Sequence, residues 1–259
     1  MAEEQGVKPD FERRFGGVGR LYGAAAAQRF AQAKVCVVGI GGVGSWAAEA
    51  LARSSVGQIT LIDLDMVAES NTNRQIHALD DVWGQAKVDA MRTRILAINP
   101  ACAVHVVEDF VTADNLDELL TGHDVVVDAI DQARVKVAMA AWCLKTRTPL
   151  VMAGAAGGKQ DPARICADDL SRTTQDALLA KVRAQLRKEH AFPKDPKRKF
   201  GITAIYSTEP IQRPAVCETV DGVEAPQGLS CAGYGSGVCV TAPFGFFAAA
   251  TALRILSQG

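Results

Sequence analysis

The chain reads as α/β, a doubly wound and mostly parallel sheet with a C-terminal α+β extension, and three observations predict it. Short β-branched apolar runs recur up to about Gly158, with helical stretches between them. A glycine-rich turn follows the first run directly. No internal repeat or low-complexity segment breaks the alternation. Strands alternating with helices bury both faces of a parallel sheet, and the crossovers joining them are right-handed.

Lys34-Val-Cys-Val-Val38 is a continuous apolar run, as a strand buried on both faces requires. Gly39-Ile-Gly-Gly-Val-Gly44 follows at once, and Ser45 to Arg53 has helical apolar spacing. Gln58 to Asp63 is a second strand. Gln85 to Ile98 is an amphipathic helix stopped by Asn99-Pro100, because the residue before a proline is driven out of the helical region. Val104–Val107 and Asp124–Asp128 are the third and fourth strands, followed by a helix over Ala133–Thr146 and a fifth strand over Pro149–Met152. Beyond Gly158 the texture changes. Lys181 to Lys199 holds eight Lys or Arg against Glu189 and Asp195. Gly201–Ser207 is a further strand, Glu209–Ser230 a Pro/Gly-rich loop, and Ala242–Leu256 a closing helix. The second half lacks the apolar strands to bury a core alone, so 1–259 is one domain with a core over 34–158 and an extension over 159–259.

Composition excludes several classes. The 259 residues carry 28 Lys+Arg against 29 Asp+Glu, a net charge of −1, which rules out a wholly basic nucleic-acid coat but allows a local patch. With 48% hydrophobic and 22% charged residues, the chain is neither disordered, collagen-like nor a coiled coil. Its seven cysteines (36, 102, 143, 166, 217, 231 and 239) are odd in number and never spaced C-x-x-C. That speaks against a disulfide framework and a zinc knuckle, and for a reducing compartment. The first fifteen residues hold no apolar signal region, so a cytoplasmic location is expected. Between Glu224 and Arg254 no side chain is charged. The stretch carries Pro226, Pro243 and several glycines on an alanine-rich background, so a buried helix or subunit interface is expected rather than membrane insertion.

Gly39, Gly41 and Gly44 match G-x-G-x-x-G between a strand and a helix, the context a Rossmann-like nucleotide site requires. Without Cβ atoms the backbone can approach a phosphate, at which the helix N-terminus points free N–H groups. Asp63 ends the second strand, where a carboxylate can hold ribose hydroxyls. Taken alone, these residues indicate NAD and an NAD(P)-dependent oxidoreductase. The next segments argue otherwise. Ser70-Asn71-Thr72-Asn73-Arg74-Gln75 and then Lys87 bring cations that a nicotinamide site does not need. A triphosphate needs them, to neutralise the charge that moves as a phosphoanhydride breaks. Asp131 and Gln132 close Asp128-Ala-Ile-Asp-Gln132 at the carboxyl edge of the fourth strand, where a carboxylate can hold Mg²⁺. Arg74, Lys87 and Asp131 are the catalytic candidates.

The ordered set G-x-G-G-x-G, D-x-D, S-N-x-x-R-Q, a lysine and D-Q resembles the ubiquitin-activating, ThiF/MoeB-like adenylating enzymes from roughly Arg14 to Gly158. Arg14–Gly23, Thr72–His77, Asp128–Asp131, Gly154–Gly158 and Tyr206–Glu209 look like the tRNA threonylcarbamoyladenosine dehydratase branch, nearly end to end. The resemblance implies a site for ATP and Mg²⁺. Gly42 would lie against the phosphates, Asp63 on the ribose, and Asn71, Arg74 and Gln75 at the triphosphate. Lys87 would contact phosphate, and Asp131 would coordinate Mg²⁺ with Gln132 beside it. It implies a homodimer in which an N-terminal arginine reaches the partner's ATP. The MoeB segment R-Y-x-R-Q is here Arg14-Phe-Gly-Gly17, so Arg13, Arg14 and Arg20 all stand as candidates. The MoeB zinc cysteines are missing, and no zinc is implied.

The implied reaction adenylates the threonine carboxylate of N6-threonylcarbamoyladenosine in tRNA, after which the neighbouring carbamoyl group closes a ring and AMP leaves. The extension would then serve the substrate side and dimerisation. Lys181, Arg183, Arg187, Lys188, Lys197, Arg198 and Lys199 suit an RNA phosphate backbone. The branch is associated with a cysteine desulfurase and sulfur-acceptor system, for which Cys231, and behind it Cys217, is the candidate thiol. His77 has at most a loop-ordering role. The rival within the superfamily is an adenylating activator of a ubiquitin-like sulfur-carrier protein.

Overall fold

The structure, a computed structural model, describes residues 10–195, 197–212 and 234–258. Two helices open the chain, α1 (Phe11–Tyr22) and α2 (Ala24–Gln32). The sheet and its crossovers follow: β1 (Lys34–Val38), α3 (Gly44–Arg53), β2 (Gln58–Ile62), α4 (Lys87–Ile98), β3 (Ala103–Val107), α5 (Leu116–Leu120), β4 (Val125–Asp128), α6 (Ala133–Thr146) and β5 (Leu150–Ala153). β6 (Ile165–Asp169), α7 (Ala177–Glu189), β7 (Thr203–Ser207) and α8 (Val238–Gln258) complete it.

The seven strands form one sheet in the order β3-β2-β1-β4-β5-β7-β6, parallel except for the antiparallel edge strand β6. The expected α/β class is the observed one. Strand residues alternate between two apolar layers because successive side chains point to opposite faces. Val35 and Val37 join Phe30, Leu51, Met91 and Phe244 on one side, while Cys36 and Val38 join Met139, Met152, Leu179 and Leu186 on the other. Chain order reverses between β1 and β4, and open sheets of this kind leave a crevice at the strand carboxyl ends at such a reversal.

Four elements differ from the sequence reading. α1 and α2 were not expected: Gly16, Gly17 and Gly19 depress helix propensity in α1, yet Asp10 caps it by accepting from the Arg13 amide at 3.0 Å. β6 was missed because an edge strand needs only one covered face, and Ile165-Cys-Ala-Asp-Asp169 alternates weakly. The last helix begins at Val238 rather than Ala242 and runs through Pro243.

α8 is long and apolar enough to cross a membrane, but it lies along α3 with Phe244, Ala248 and Ala252 fully buried. Gly245 makes the crossing possible, since a Cβ there would meet the Val43 carbonyl oxygen and Trp46. Phe246 and Phe247 remain exposed on its outer face. At its end the Arg29 guanidinium from α2 donates to the carbonyls of Leu256, at 3.1 Å, and Ser257.

Candidate active site

A cleft of about 270 Å³ opens at the carboxyl ends of β1, β4 and β5. Gly39, Gly41, Gly42, Asp63, Arg74, Gln75, Lys87, Asp131 and Gln132 all line it. Residues from five separate segments thus converge on one cleft. Gly39 sits at φ +87°, a backbone state that favours glycine, and donates to the Ile62 carbonyl at 2.8 Å. A Cβ on Gly41 would meet nothing within 4 Å among the described residues. The Arg74 side chain crosses Gly42 closely enough that a Cβ would lie 3.2 Å from its Cγ.

Three of the charged groups are held by their neighbours. Asp63 accepts from the Ile40 amide at 2.6 Å and the Asp65 amide at 2.9 Å, tying β2 to the glycine turn. Lys87 is buried and pairs with the more exposed Asp65 carboxylate at 2.6 Å. Arg74 donates through Nη1 to the Ser70 carbonyl at 2.8 Å and to Asn73 Oδ1 at 2.9 Å. Its own carbonyl accepts from Trp46 Nε1 at 3.0 Å, so this loop is pinned to α3.

Five candidate residues lie elsewhere. Gly44 does not line the cleft: a Cβ there would overlap the Gly39 carbonyl oxygen, so this glycine serves the packing of α3 against the turn. Asn71 is buried and turns inward, accepting from the Ala68 amide at 3.1 Å to shape the loop that carries Arg74. Arg14 donates to the Ala97 and Ile98 carbonyls at the end of α4, at 3.3 and 2.6 Å. Arg20 is exposed, 3.9 Å from Glu12, and Arg13 pairs with Asp10.

The basic run divides. Lys181, Lys188, Lys197, Arg198 and Lys199 are exposed. Arg183 and Arg187 are corrected to internal roles. Arg183 bonds Thr173, while Arg187 donates to the Pro193 carbonyl at 3.1 Å and stacks 5.3 Å over the Phe200 ring. Cys217 and Cys231 lie outside the described residues. Of the described thiols, Cys36, Cys102 and Cys143 are buried, and burial pushes Cys102 up to about 11 and Cys143 to about 12.

His77 is buried with neither ring nitrogen hydrogen-bonded among the described residues, and burial, aided by Lys87 and Arg94, lowers its pKa from 6.5 to about 4. It is therefore neutral in the fold. Between those two values the unfolded chain binds the extra proton, so this contribution is complete above pH 6.5 and is lost as pH falls towards 4. The expected result is that His77→Phe flattens the acid limb of stability by roughly 2–3 kcal/mol. Urea melts of both proteins across that range, with parallel slopes counting against the assignment, check it.

Sequence reasoning missed a second tier of charged residues behind the cleft. Lys136 on α6 pairs with Asp128 at the end of β4 at 2.8 Å, both side chains fully buried. Asp176 caps α7 through the Leu179 amide and also accepts from the Ala155 amide, each at 2.9 Å, although burial raises its pKa. Glu209 accepts from the Asp161 and Gln160 amides at 3.0 and 2.9 Å, and these bonds hold its carboxyl low. The buried Lys159 ammonium donates to the Gln175 and Glu209 carbonyls. The signal for Lys136 was available: it interrupts an apolar stripe of Met139, Ala140 and Cys143.

Residues 18–258 match the ThiF family. The Escherichia coli (strain K12) protein named tRNA threonylcarbamoyladenosine dehydratase is 50% identical over 254 residues, covering 96% of this chain and 95% of its own. The Haemophilus influenzae protein of the same name is 45% identical, covering 92% and 91%. A crystal structure of the E. coli enzyme in complex with ATP superposes with a TM-score of 0.87 at 47% identity, covering 98% of each chain. The chain belongs to the ThiF family, in the branch of the tRNA threonylcarbamoyladenosine dehydratases.

Proposed function

We infer that the chain catalyses the ATP-dependent dehydration of N6-threonylcarbamoyladenosine in tRNA to its cyclic form. The observation that carries this is that Arg74, Lys87 and Asp131 line one cleft with the glycine turn. The threonine carboxylate attacks the α-phosphorus of ATP and pyrophosphate leaves. The carbamoyl group then attacks the acyl carbon, its proton is lost, and AMP leaves. The nucleophile is intramolecular, so no protein thiol is required. The protein's work is placement and charge neutralisation. Gly39 to Gly42 present backbone to the phosphates and Asp63 meets the ribose. Arg74 and Lys87 offset the charge that moves to the leaving pyrophosphate, with Gln75 beside them. Asp131, exposed in the cleft with Gln132 next to it, would hold Mg²⁺, which binds proteins through one or two carboxylates and completes its shell with water and phosphate oxygens. When bound, the ion would screen the phosphate charge.

Arg20, exposed and weakly paired, is the best placed of the three N-terminal arginines to reach a partner subunit's ATP, since Arg14 is held by α4. Phe246 and Phe247, exposed on α8, suit the homodimer contact, and 159–259 supplies the substrate-side and dimerisation extension. A cytoplasmic location agrees with the free cysteines. A desulfurase partner rests on the family resemblance alone.

The exposed cations of α7 and the following loop suit the tRNA backbone. Replacing Lys181, Lys188, Lys197 and Lys199 together by Glu is expected to weaken tRNA binding about 100-fold near 0.15 M salt and to flatten its salt dependence. ATP affinity should stay unchanged. Filter binding across a salt series measures this, and an unaltered slope would remove the patch from the interface.

Incubation with ATP, Mg²⁺ and tRNA bearing threonylcarbamoyladenosine, followed by mass analysis, tests the function. A nucleoside lighter by one water, with AMP appearing, supports it. An unchanged nucleoside, with pyrophosphate exchange seen only when a carrier protein of the ubiquitin fold is added, would replace it with the carrier-activating reading.

A further inference from the structure

The buried pair behind the cleft occupies a place in the sheet that stability alone does not explain. Asp128 is the last residue of β4 and Ala153 the last of β5, and these strands are neighbours in register. Lys136 joins them: its ammonium donates to Asp128 Oδ1 at 2.8 Å and to the Ala153 carbonyl at 2.7 Å. Both side chains have no exposure. A desolvated ion pair is seldom better for stability than two apolar residues of the same volume, and what it adds is direction.

The direction matters because of what the two strand ends carry. Past Asp128 come Ala129 to Gln132, including Asp131; past Ala153 come Gly154, Ala155 and Ala156. Both segments line the cleft. On the first side, Asp128 Oδ1 also accepts from the Ile130 amide at 3.3 Å, while Oδ2 has no hydrogen-bond partner among the described residues. Lys136 is therefore the main anchor of this carboxylate. On the second side, the Ala155 amide is held by Asp176, which accepts the Leu179 amide as well. A Cβ on Gly154 would overlap Asp176 Oδ2, so this wall is packed as tightly as it can be.

We propose that Lys136 is a positioning residue that sets the spacing between the Asp131 loop and the 154–156 wall. It touches neither nucleotide nor reacting atoms and acts through the two segments it ties. The proposal rests on the adenylating reading only for what those segments do. A displacement of about 1 Å at a reacting centre is enough to cost roughly 100-fold in rate.

Removing Lys136 alone strands a buried carboxylate and risks the fold, so the decisive variant is the charge-free double, Asp128→Leu with Lys136→Met. The double variant is expected to melt within a few degrees of the wild type. Hydrogen exchange of the unliganded full chain should be at least about 10-fold faster at the Ala129 and Ala155 amides, whose acceptors Val38 and Asp176 the variant leaves in place, with the β1 and β2 amides unchanged. Turnover at saturating ATP should fall between about 10- and 100-fold, with the KM for ATP within about 3-fold. Unaltered exchange at those two amides would overturn the proposal, and so would wild-type turnover in the double variant. If the wild type forms no AMP with the modified tRNA, the adenylating reading fails, and the exchange rates still decide whether Lys136 holds the two segments.

Discussion

Lys87→Met is expected to lower AMP formation by about 100- to 1,000-fold while the fold survives, the range seen when one preorganised charge donor is removed. Three features support a large effect. Lys87 is buried at the cleft wall, where low dielectric strengthens its action on a phosphate. It starts α4 with its amide bonded to the Asp65 carbonyl at 3.0 Å, so its stem is fixed before any ligand arrives. Its partner Asp65 is 64% exposed, and water can solvate that carboxylate once the ammonium is gone. The stability cost should therefore be near the 1 kcal/mol of a partly exposed pair. Single-turnover assays with modified tRNA, beside thermal melts, separate the two effects. A variant within 5-fold or so of wild-type turnover would reduce Lys87 to a structural partner of Asp65.

Gly44→Ala and Gly41→Ala should fail in opposite ways although both belong to one motif. At Gly44 the added methyl would overlap the Gly39 carbonyl oxygen and crowd the Ala129 side chain, and backbone cannot swing aside as a flexible side chain can. The expected outcome is a loss of more than about 3 kcal/mol, in the range reserved for severe overpacking, with ATP binding lost because the turn is displaced. At Gly41 the methyl meets no atom of the described residues, so stability should hold within about 1 kcal/mol. ATP affinity should nevertheless fall about 10-fold or more, as the methyl occupies the approach a phosphate needs. Calorimetric melts with ATP titrations distinguish the pair. Equal destabilisation in both variants would contradict the assignment of packing to one glycine and ligand approach to the other.

Much of this was legible in the residues. β1 could be read because Val35 to Val38 are buried on both faces, which demands an unbroken apolar run. The limits of α6 agree with the reading, Ala133 to Thr146, because polar residues flank a dense apolar segment. Arg74, Lys87 and Asp131 could be placed in one cleft because strand-end positions in a doubly wound sheet are topologically fixed. What escaped depended on partners remote in the chain. Asn71 sits in a phosphate-binding pattern, yet its side chain closes its own loop. Arg183 and Arg187 look like surface charges until Thr173 and Phe200 are folded against them. Lys136 is invisible as a tie until β4 and β5 lie side by side.

The clasp between Arg29 and the last carbonyls of α8 bears on how the molecule is made. α8 contributes Phe244, Ala248 and Leu253 to the same apolar layer as Phe30 and Val35, so α2 and α8, far apart in the chain, complete one another. During synthesis at about 5–20 residues per second, the strands emerge with that layer open on one side. Contacts of such long sequence separation form late, because loop closure must precede the burial that rewards it. The nascent protein therefore keeps that apolar face exposed until α8 has cleared the ribosome, and through this interval it is open to misassociation.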